Sequence, residues 1–290
     1  ILSFTTQKKL SGTVDAMPQP GGHNEVDDRD LDLALGEEFE VIFSAERPAG
    51  YTGKWAKIDP EAGGMMVRYR SYDWEREIDP QLSIECLDPV PPKPRLTPQE
   101  ILDRISEMAK FPARKTRLYY PMQNGVKERV GFNVFEPVVM PGALAKQVYW
   151  PACFQFDADE ALIIETELPE KRPYWNIQLN DPLFNALEYV YRLSSLNGPT
   201  AKVGSDGKFR AVIALEDPGV PNWLDPAGYL EGGIYGRWFD CDSAPLPVIK
   251  RVKLSTLRDH LPADTPVVTP EDRAEELRRR VRACQRRRRW

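Results

Sequence analysis

Histidine and cysteine are scarce in this sequence. In 290 residues there are two histidines and four cysteines, namely His23, His260, Cys86, Cys153, Cys241 and Cys284. The cysteines lie 67, 88 and 43 residues apart and form no C-x-x-C pair, whereas the ligands of a zinc site are closely spaced. We therefore expect no bound metal and no cofactor. The absence of a G-x-S-x-G motif also argues against a serine nucleophile.

Long apolar runs are missing as well. None approaches the roughly 20 residues that a transmembrane helix needs, so we expect no membrane span. The glycine pairs at 63–64 and 232–233 lack the lysine and the spacing of a phosphate-binding loop. Isolated cysteines without a visible secretory leader favour a reducing, cytoplasmic compartment. The chain starts at Ile1 rather than methionine, so what precedes it stays open.

The net charge of −5 is unevenly distributed. Residues 271–290 contain nine arginines and four acids, a charge of +5, which leaves −5 − 5 = −10 for residues 1–270. An acidic body repels polyphosphate, so we expect no general nucleic-acid binding. The arginine-rich end could bind an anionic partner. As the solvated basic end of a helix it would need none.

Proline and the aromatic residues, by contrast, are plentiful. There are 27 prolines, together with 7 Trp, 11 Tyr and 11 Phe. Proline is excluded from helix interiors and central strands, so this composition predicts many short strands joined by turns. The apolar fraction of 41% is sufficient to build a core.

Two helix starts stand out. In T-P-Q-E, residues 97–100, Thr97 and Glu100 form a capping box, and the helix is expected to end at Pro112. A second start at 269–277 predicts a C-terminal amphipathic helix. The residues expected to dock this helix are Ala274, Leu277, Val281 and Cys284.

One phrase occurs twice in the chain. E-F-E-V-I-F-S-A-E-R-P-A-G at 38–50 aligns with K-F-R-A-V-I-A-L-E-D-P-G at 208–219, and similar residues follow each copy. The matched residues are Trp55 with Trp223, Asp59 with Asp225, Arg68 with Arg237, and Asp73 with Asp240. Turn formers and tryptophans rarely match by chance, so we interpret this as an internal duplication. Each copy is expected to be a strand, a loop held by tryptophan, and a return strand carrying arginine.

The two copies lie on either side of D-P-V-P-P-K-P-R, residues 88–95, a stiff proline-rich spacer. The predicted fold is therefore mainly β, with two tandem jelly-roll-like β-sandwich domains joined by this linker and a short helix. We place the N-terminal domain at 1–88, the linker and helix at 89–116, and the C-terminal domain with its terminal helix at 117–290.

Several phrases resemble an uncharacterised bacterial family. P-N-W-L-D-P-A-G-Y, G-R-W, V-K-L-S-T-L-R-D-H-L-P and T-P-E-D-R are similar to the domain of unknown function twelve-fourteen, which its relative twelve-fifty-four sometimes precedes. The resemblance covers about residues 120–289. It implies tandem jelly-roll domains and no agreed activity. Members extend further at the N-terminus, which would make the first domain here incomplete.

The repeated loops supply candidate binding residues, because tryptophan stacks on sugar rings while Asp and Arg bond hydroxyls or carboxylates. The alternative is a structural pin, with the indole buried and the arginine held by aspartate. A sugar platform near P-Y-W, residues 173–175, has core packing as its alternative. The candidates are Asn222, Trp223, Asp225, Arg237, Tyr174, Trp175, Trp55 and Arg68.

Glu165 and Glu167 are candidate catalytic carboxylates. In a strand their Cα atoms would lie roughly 7 Å apart on one face, and paired carboxylates can cleave a glycosidic bond. The alternative is two solvated acids on an exposed face.

Two functions fit these patterns. The first is a ligand-binding or carbohydrate-active β-sandwich protein that recognises a polar, polyhydroxylated small molecule or saccharide. The alternative is a non-catalytic structural protein whose jelly-roll domains pack into a homo-oligomer.

Overall fold

The computed structural model describes residues 1–8, 25–34, 36–90, 92–138 and 146–287. The fold is mainly β and ends in a C-terminal helix, as the sequence predicted. The described strands are β1 (Leu2–Gln7), β2 (Glu25–Asp27), β3 (Val41–Ser44), β4 (Lys54–Lys57), β5 (Gly64–Tyr69), β6 (Gln147–Gln155), β7 (Glu160–Thr166), β8 (Tyr174–Asn180), β9 (Ser195–Asn197), β10 (Phe209–Ile213), β11 (Trp223–Leu224), β12 (Glu231–Phe239) and β13 (Val248–Lys253). The helices are α1 (Pro98–Val130), a 3-10 helix (Leu254–His260) and α2 (Pro270–Arg286). His23 lies outside the described residues.

The chain forms two compact units. The N-terminal unit comprises Ile1–Arg70 and Ile78–Leu118, and the C-terminal unit comprises Ser71–Glu77 and Tyr119–Trp290. The short segment Ser71–Glu77 thus belongs with the C-terminal unit although it precedes the proline-rich spacer. The domain boundaries proposed from the sequence remain predictions.

The N-terminal unit contains two small sheets. One is antiparallel with the order β2-β1-β5, and the other pairs β3 with β4 in parallel. Leu2, Phe4 and Ala56 lie at the centre of an apolar cluster that draws on strands of both sheets. Alternating side chains explain this cluster, since each strand presents one apolar face to the other sheet.

The C-terminal unit is built from two four-stranded sheets. The β7 sheet has the order β11-β10-β7-β13, and the β12 sheet has the order β6-β12-β8-β9. One core lies between them, with Leu162 and Ile164 from the first sheet and Trp175, Ile234 and Trp238 from the second. Because side chains alternate along a strand, every second residue of the β12 sheet points away from this core. We call that side the outer face of the β12 sheet.

Helix α1 differs from its prediction. Its start is confirmed: Thr97 Oγ1 accepts from the Glu100 backbone, and the Glu100 carboxylate accepts from the Thr97 backbone. The helix does not end at Pro112, however, but continues through Pro112 and Pro121 to Val130. The expectation that proline stops a helix was therefore wrong here: α1 continues despite the hydrogen bond and the steric clash that each interior proline costs it.

Residues 82–87, L-S-I-E-C-L, largely alternate apolar and polar residues, a pattern that by itself favours a strand. These residues form no strand in the described part of the chain, and Ile84 is 95% exposed. Alternating apolar residues predict a strand only where a neighbouring strand is available to pair with it.

Helix α2 begins at the predicted cap, with a capping box between Thr269 and Asp272. Its buried residues are Arg273, Arg280, Ala283 and Cys284. Of the four residues predicted to dock the helix, Cys284 alone is buried, while Ala274, Leu277 and Val281 are half-buried. Burial of two arginines was not anticipated, because their acceptors lie far away in the sequence.

The two loops matched in the sequence have the same strand pairing. β3 runs parallel to β4 with Ile42 opposite Trp55, and β10 runs parallel to β11 with Val212 opposite Trp223. Ile42 and Val212 are equivalent positions in the sequence alignment. Both loops therefore place tryptophan opposite the aligned position of the preceding strand.

The indole hydrogen bonds match too. Trp55 Nε1 donates to Ser44 Oγ at 2.8 Å, and Trp223 Nε1 donates to the Ala214 carbonyl at 2.9 Å. Ser44 and Ala214 are aligned residues. In each loop the indole thus bonds to the end of the strand before it.

The aspartates that follow also adopt one geometry. Asp59 Oδ1 accepts from the Glu61 backbone at 2.8 Å, and Asp225 Oδ1 accepts from the Ala227 backbone at 2.8 Å. Both carboxylates form the same local turn, two residues ahead of the donor.

Neither α-helix combines the length and apolar character required to cross a lipid bilayer, as judged over the described residues.

Candidate functional site

Asn222 uses its side-chain hydrogen bonds within the protein. It is buried with a positive φ of 58°, and its Oδ1 accepts from the Lys202 backbone at 2.7 Å. Its Nδ2 donates to the carbonyls of Lys202 and Arg210, each at 2.6 Å. A side chain with these bonds holds the loop and has little capacity left for a ligand.

Trp223 and Asp225 also contact side chains of the protein itself. The Trp223 ring lies 5.5 Å from the Arg273 guanidinium, measured to the ring centroid. Asp225 is buried and accepts from Arg192 Nη1 at 2.8 Å. The sequence had suggested Arg237 as the partner of Asp225, but Arg192 takes that place. These contacts favour the structural-pin interpretation for this loop.

The equivalent residues of the N-terminal unit are half-buried. Trp55 donates to Ser44, as described above. Arg68 Nη1 donates to Thr5 Oγ1 at 2.8 Å across the β1–β5 pair. Both side chains therefore serve strand packing in this structure.

The aromatic pair on β8 is split between the two faces of its sheet. Trp175 is 2% exposed in the core and packs against Phe209 and Trp238. Tyr174 is buried on the outer face, where its ring packs against Tyr72 with centroids 5.1 Å apart. Core packing, the alternative to the sugar platform, thus accounts for Trp175.

The two candidate catalytic carboxylates are in different environments. Glu165 bonds Lys208 Nζ at 3.0 Å and Arg210 Nε at 2.6 Å. Burial alone would raise the pKa of Glu165, but these two hydrogen bonds outweigh it and hold the pKa below its ordinary value of 4.5. Glu167 lies beyond the end of β7 and is exposed. A general acid needs a raised pKa, so the contacts favour a structural role for Glu165.

Glu165→Gln is expected to weaken the pH dependence of stability. A carboxyl whose pKa is lower in the folded than in the unfolded state stabilises the fold fully above about pH 5, and this contribution is lost as the pH falls through the folded pKa. The substitution should lower the free energy of unfolding by up to about 1 kcal/mol at neutral pH. It should also make the loss of stability toward acid pH less steep. Urea midpoints measured from pH 7 to pH 2 test this. Parallel curves for the two proteins would show that Glu165 contributes nothing through its charge.

Arg237 occupies a different kind of position from the other candidates. It lies near the end of β12, directly opposite Tyr149 on β6 and Asn176 on β8. All three side chains point to the outer face of the β12 sheet, and Cα atoms of directly opposed residues lie about 5 Å apart. The Arg237 guanidinium lies 5.5 Å from the Tyr149 ring centroid. Three strands thus bring one polar row together.

This row contains polar atoms without hydrogen-bond partners. Arg237 Nε, Asn176 Oδ1 and Gln147 Oε1 are all buried atoms, and none has a partner among the described residues. Gln147 is 4% exposed and lies two residues before Tyr149, on the same face. An unpartnered buried polar atom costs about 1–3 kcal/mol. Three such atoms on one face make this row the candidate site.

Tyr149, Asn176 and Gln147 were missed by sequence reasoning, although Arg237 was found. The signal was weak but present: Q-V-Y-W-P at 147–151 alternates polar and apolar residues, and so does W-N-I-Q at 175–178. Two alternating strands predict two polar faces. Only the pairing of both strands with β12 shows that these faces are the same one.

We define the polar row as Gln147, Tyr149, Asn176 and Arg237. Its charge comes from the guanidinium, since the other three side chains are neutral. At its margin burial raises the pKa of Tyr72 to about 12, so this phenol stays protonated at neutral pH. Within the described ranges, no three His, Cys, Asp or Glu side chains form a group able to hold a metal ion.

Comparison with known proteins identifies a shared fold. No family model and no curated protein matches the chain. Among solved structures, the chain is similar to an uncharacterised protein from Burkholderia cenocepacia, with a TM-score of 0.75, 27% identity and coverage of 88% of this chain and 70% of that one. A protein from Vibrio parahaemolyticus has a TM-score of 0.33 at 16% identity, covering 56% of this chain and 48% of that one. The second likeness is too weak to support an inference.

Proposed function

We propose that the C-terminal unit binds a small polyhydroxylated ligand, such as a saccharide, at the polar row. The observation that carries this proposal is the set of three buried, unpartnered polar atoms on Arg237, Asn176 and Gln147. Buried polar groups in folded proteins almost always have partners, so a group of exceptions on one face calls for a partner from outside.

The chemistry of the three atoms favours hydroxyl groups. Arg237 Nε is a donor, while Asn176 Oδ1 and Gln147 Oε1 are acceptors. A hydroxyl both donates and accepts, so neighbouring hydroxyls on one ring can satisfy all three atoms. A carboxylate or phosphate would satisfy the arginine and leave both amide oxygens unpartnered.

The proposed site differs from the loop first suggested by the sequence. The contacts of Asn222, Trp223 and Asp225 are internal, which leaves Arg237 as the repeat residue best placed for binding. We propose binding rather than catalysis, because the Glu165 carboxylate belongs to the β7 sheet and is neutralised by Lys208 and Arg210.

We also propose that the C-terminal unit is a jelly roll. Strand order supports this: β6, the first strand of the unit, pairs with β12, and β7 pairs with β13, the last strand. Pairing of early with late strands is typical of two Greek keys folded into a sandwich.

Internal duplication is a further part of the proposal. It is supported by the shared parallel pairing, indole bond and aspartate turn of the two loops. Membership of the uncharacterised twelve-fourteen and twelve-fifty-four type is proposed on the sequence resemblance alone.

Titration with a panel of monosaccharides and oligosaccharides, followed by calorimetry, tests the binding proposal. We expect saturable binding by the wild-type protein and a loss of affinity of about 10-fold or more in Arg237→Met, since a charge-assisted hydrogen bond contributes about 1.5–3 kcal/mol. Asn176→Leu removes the acceptor and should also weaken binding.

Lys250→Met is the matched control, because Lys250 is an exposed cation on β13 of the other sheet. It should bind like the wild type. Absence of binding to every saccharide, or equal affinity of Arg237→Met and Lys250→Met, would overturn the proposal. Citrate and phosphate are included as anions, and a preference for them over saccharides would also contradict it.

A further inference from the structure

The first half of α1 is exposed on every side. Residues 97–113 are all exposed, and Met108 is 72% exposed. We call residues 98–117 the helix arm. Its large apolar residues recur at helical spacing and share one face. They are Ile101, Leu102, Ile105, Met108 and Phe111.

The helix arm gains little packing within its own chain, because residues 97–113 are all exposed. A helix without packing depends on its intrinsic propensity alone, and its nucleation is unfavourable. Pro112 adds a cost of about 3 kcal/mol, because it removes a hydrogen bond within the helix. Most of the stability of a protein helix comes from packing of its apolar face. The helix arm therefore needs a surface to cover that face.

The charges of the helix arm identify the surface that fits. Residues 98–107 contain Glu100, Asp103, Arg104 and Glu107, a net charge of −2. Residues 108–117 contain Lys110, Arg114, Lys115 and Arg117, a net charge of +4. A second helix arm running antiparallel would place each acidic half beside a basic half. A parallel arrangement would place like charges together.

We propose that the helix arm is a homodimerisation element that pairs antiparallel with the helix arm of a second copy. The two-fold axis passes near Glu107 and Met108, so that the two apolar faces cover each other. Symmetric dimers use one self-complementary surface twice. The helix arm meets this condition in both its apolar pattern and its charge.

A charge placed on the apolar face tests the pairing. Ile105→Glu should increase the dimer dissociation constant by about 100-fold or more, because each interface would then bury two unpaired carboxylates. Ser106→Glu is the matched control, since it adds the same charge about 100° further round the helix and outside the apolar face, and it should dimerise like the wild type. Sedimentation velocity over a concentration series gives the dimer dissociation constant of the wild type and of each variant. A wild-type protein that stays monomeric, or equal effects of both variants, would overturn the proposal.

Disulfide cross-linking tests the orientation. Two cysteine variants, Met108→Cys and Ile101→Cys, are each made together with Cys86→Ser, because Cys86 is exposed. In an antiparallel pair Met108→Cys lies at the axis and should cross-link to its counterpart under mild oxidation. Ile101→Cys lies about 20 Å along the axis from its counterpart, given a rise of 1.5 Å per residue, and should not cross-link. Cross-linking of Ile101→Cys, or failure of Met108→Cys, would contradict the antiparallel arrangement.

Discussion

Gly236→Ala should destabilise the C-terminal unit by about 3 kcal/mol. A Cβ atom at this position would lie 2.1 Å from Cζ3 of Trp150 and 2.2 Å from two other atoms of the same ring. Trp150 cannot move away, because it is 1% exposed and packs against Phe135 and Trp238. The glycine of the G-R-W phrase thus leaves room for an indole on the neighbouring strand.

Gly125→Ala is the matched control for this substitution. The added Cβ would lie 2.9 Å from Arg129 Nη1, the end of a flexible and exposed side chain that can shift. Alanine is preferred to glycine within a helix, so the free energy of unfolding of this variant should rise by about 0.5–1 kcal/mol. Urea unfolding followed by tryptophan fluorescence measures both effects. A Gly236→Ala protein within 1 kcal/mol of the wild type would contradict the packing argument.

Arg280→Ala should lower the free energy of unfolding of the C-terminal unit by about 3 kcal/mol. Arg280 is 8% exposed and bonds the Tyr189 carbonyl, the Ser195 carbonyl and Ser195 Oγ. Its guanidinium also lies 4.9 Å from the centroid of the Trp74 ring. Truncation would remove the arginine donor from three partly buried acceptors and would uncover Trp74.

The charge of Arg280 is retained despite its burial. Burial lowers its pKa to about 10, still well above neutral pH. Arg279→Ala is the natural control, since Arg279 is the adjacent residue, has a side chain 58% exposed and pairs with Glu75 at 2.8 Å. An exposed ion pair contributes about 1 kcal/mol or less. Chemical denaturation gives the free energy of unfolding of each variant. Similar decreases for Arg279→Ala and Arg280→Ala would show that Arg280 does not hold α2 in place.

Much of the local structure could be predicted, because its signals act over a few residues. Thr97 and Thr269 cap their helices as expected, since a capping box joins residues three apart. The two tryptophan loops were recognisable from turn formers and indoles at matching positions. The sequence left a ligand site and a structural pin as alternatives for these loops, and the contacts of Asn222, Trp223 and Asp225 favour the pin.

The candidate site could be predicted only in part. Arg237 was found because it lies in the phrase that matches residues 38–73, but its neighbours Tyr149 and Asn176 come from strands far away in the chain. No local pattern states which strand lies beside which. The polar row exists because β12 pairs with β6 on one side and β8 on the other.

The sequence by itself determined the β-rich composition, the helix starts and the paired loops, all of which depend on neighbouring residues. Tertiary structure decided which polar side chains share a face and which arginines of α2 are buried. These outcomes depend on long-range packing, whose free energy is large enough to override a local preference worth a few kcal/mol.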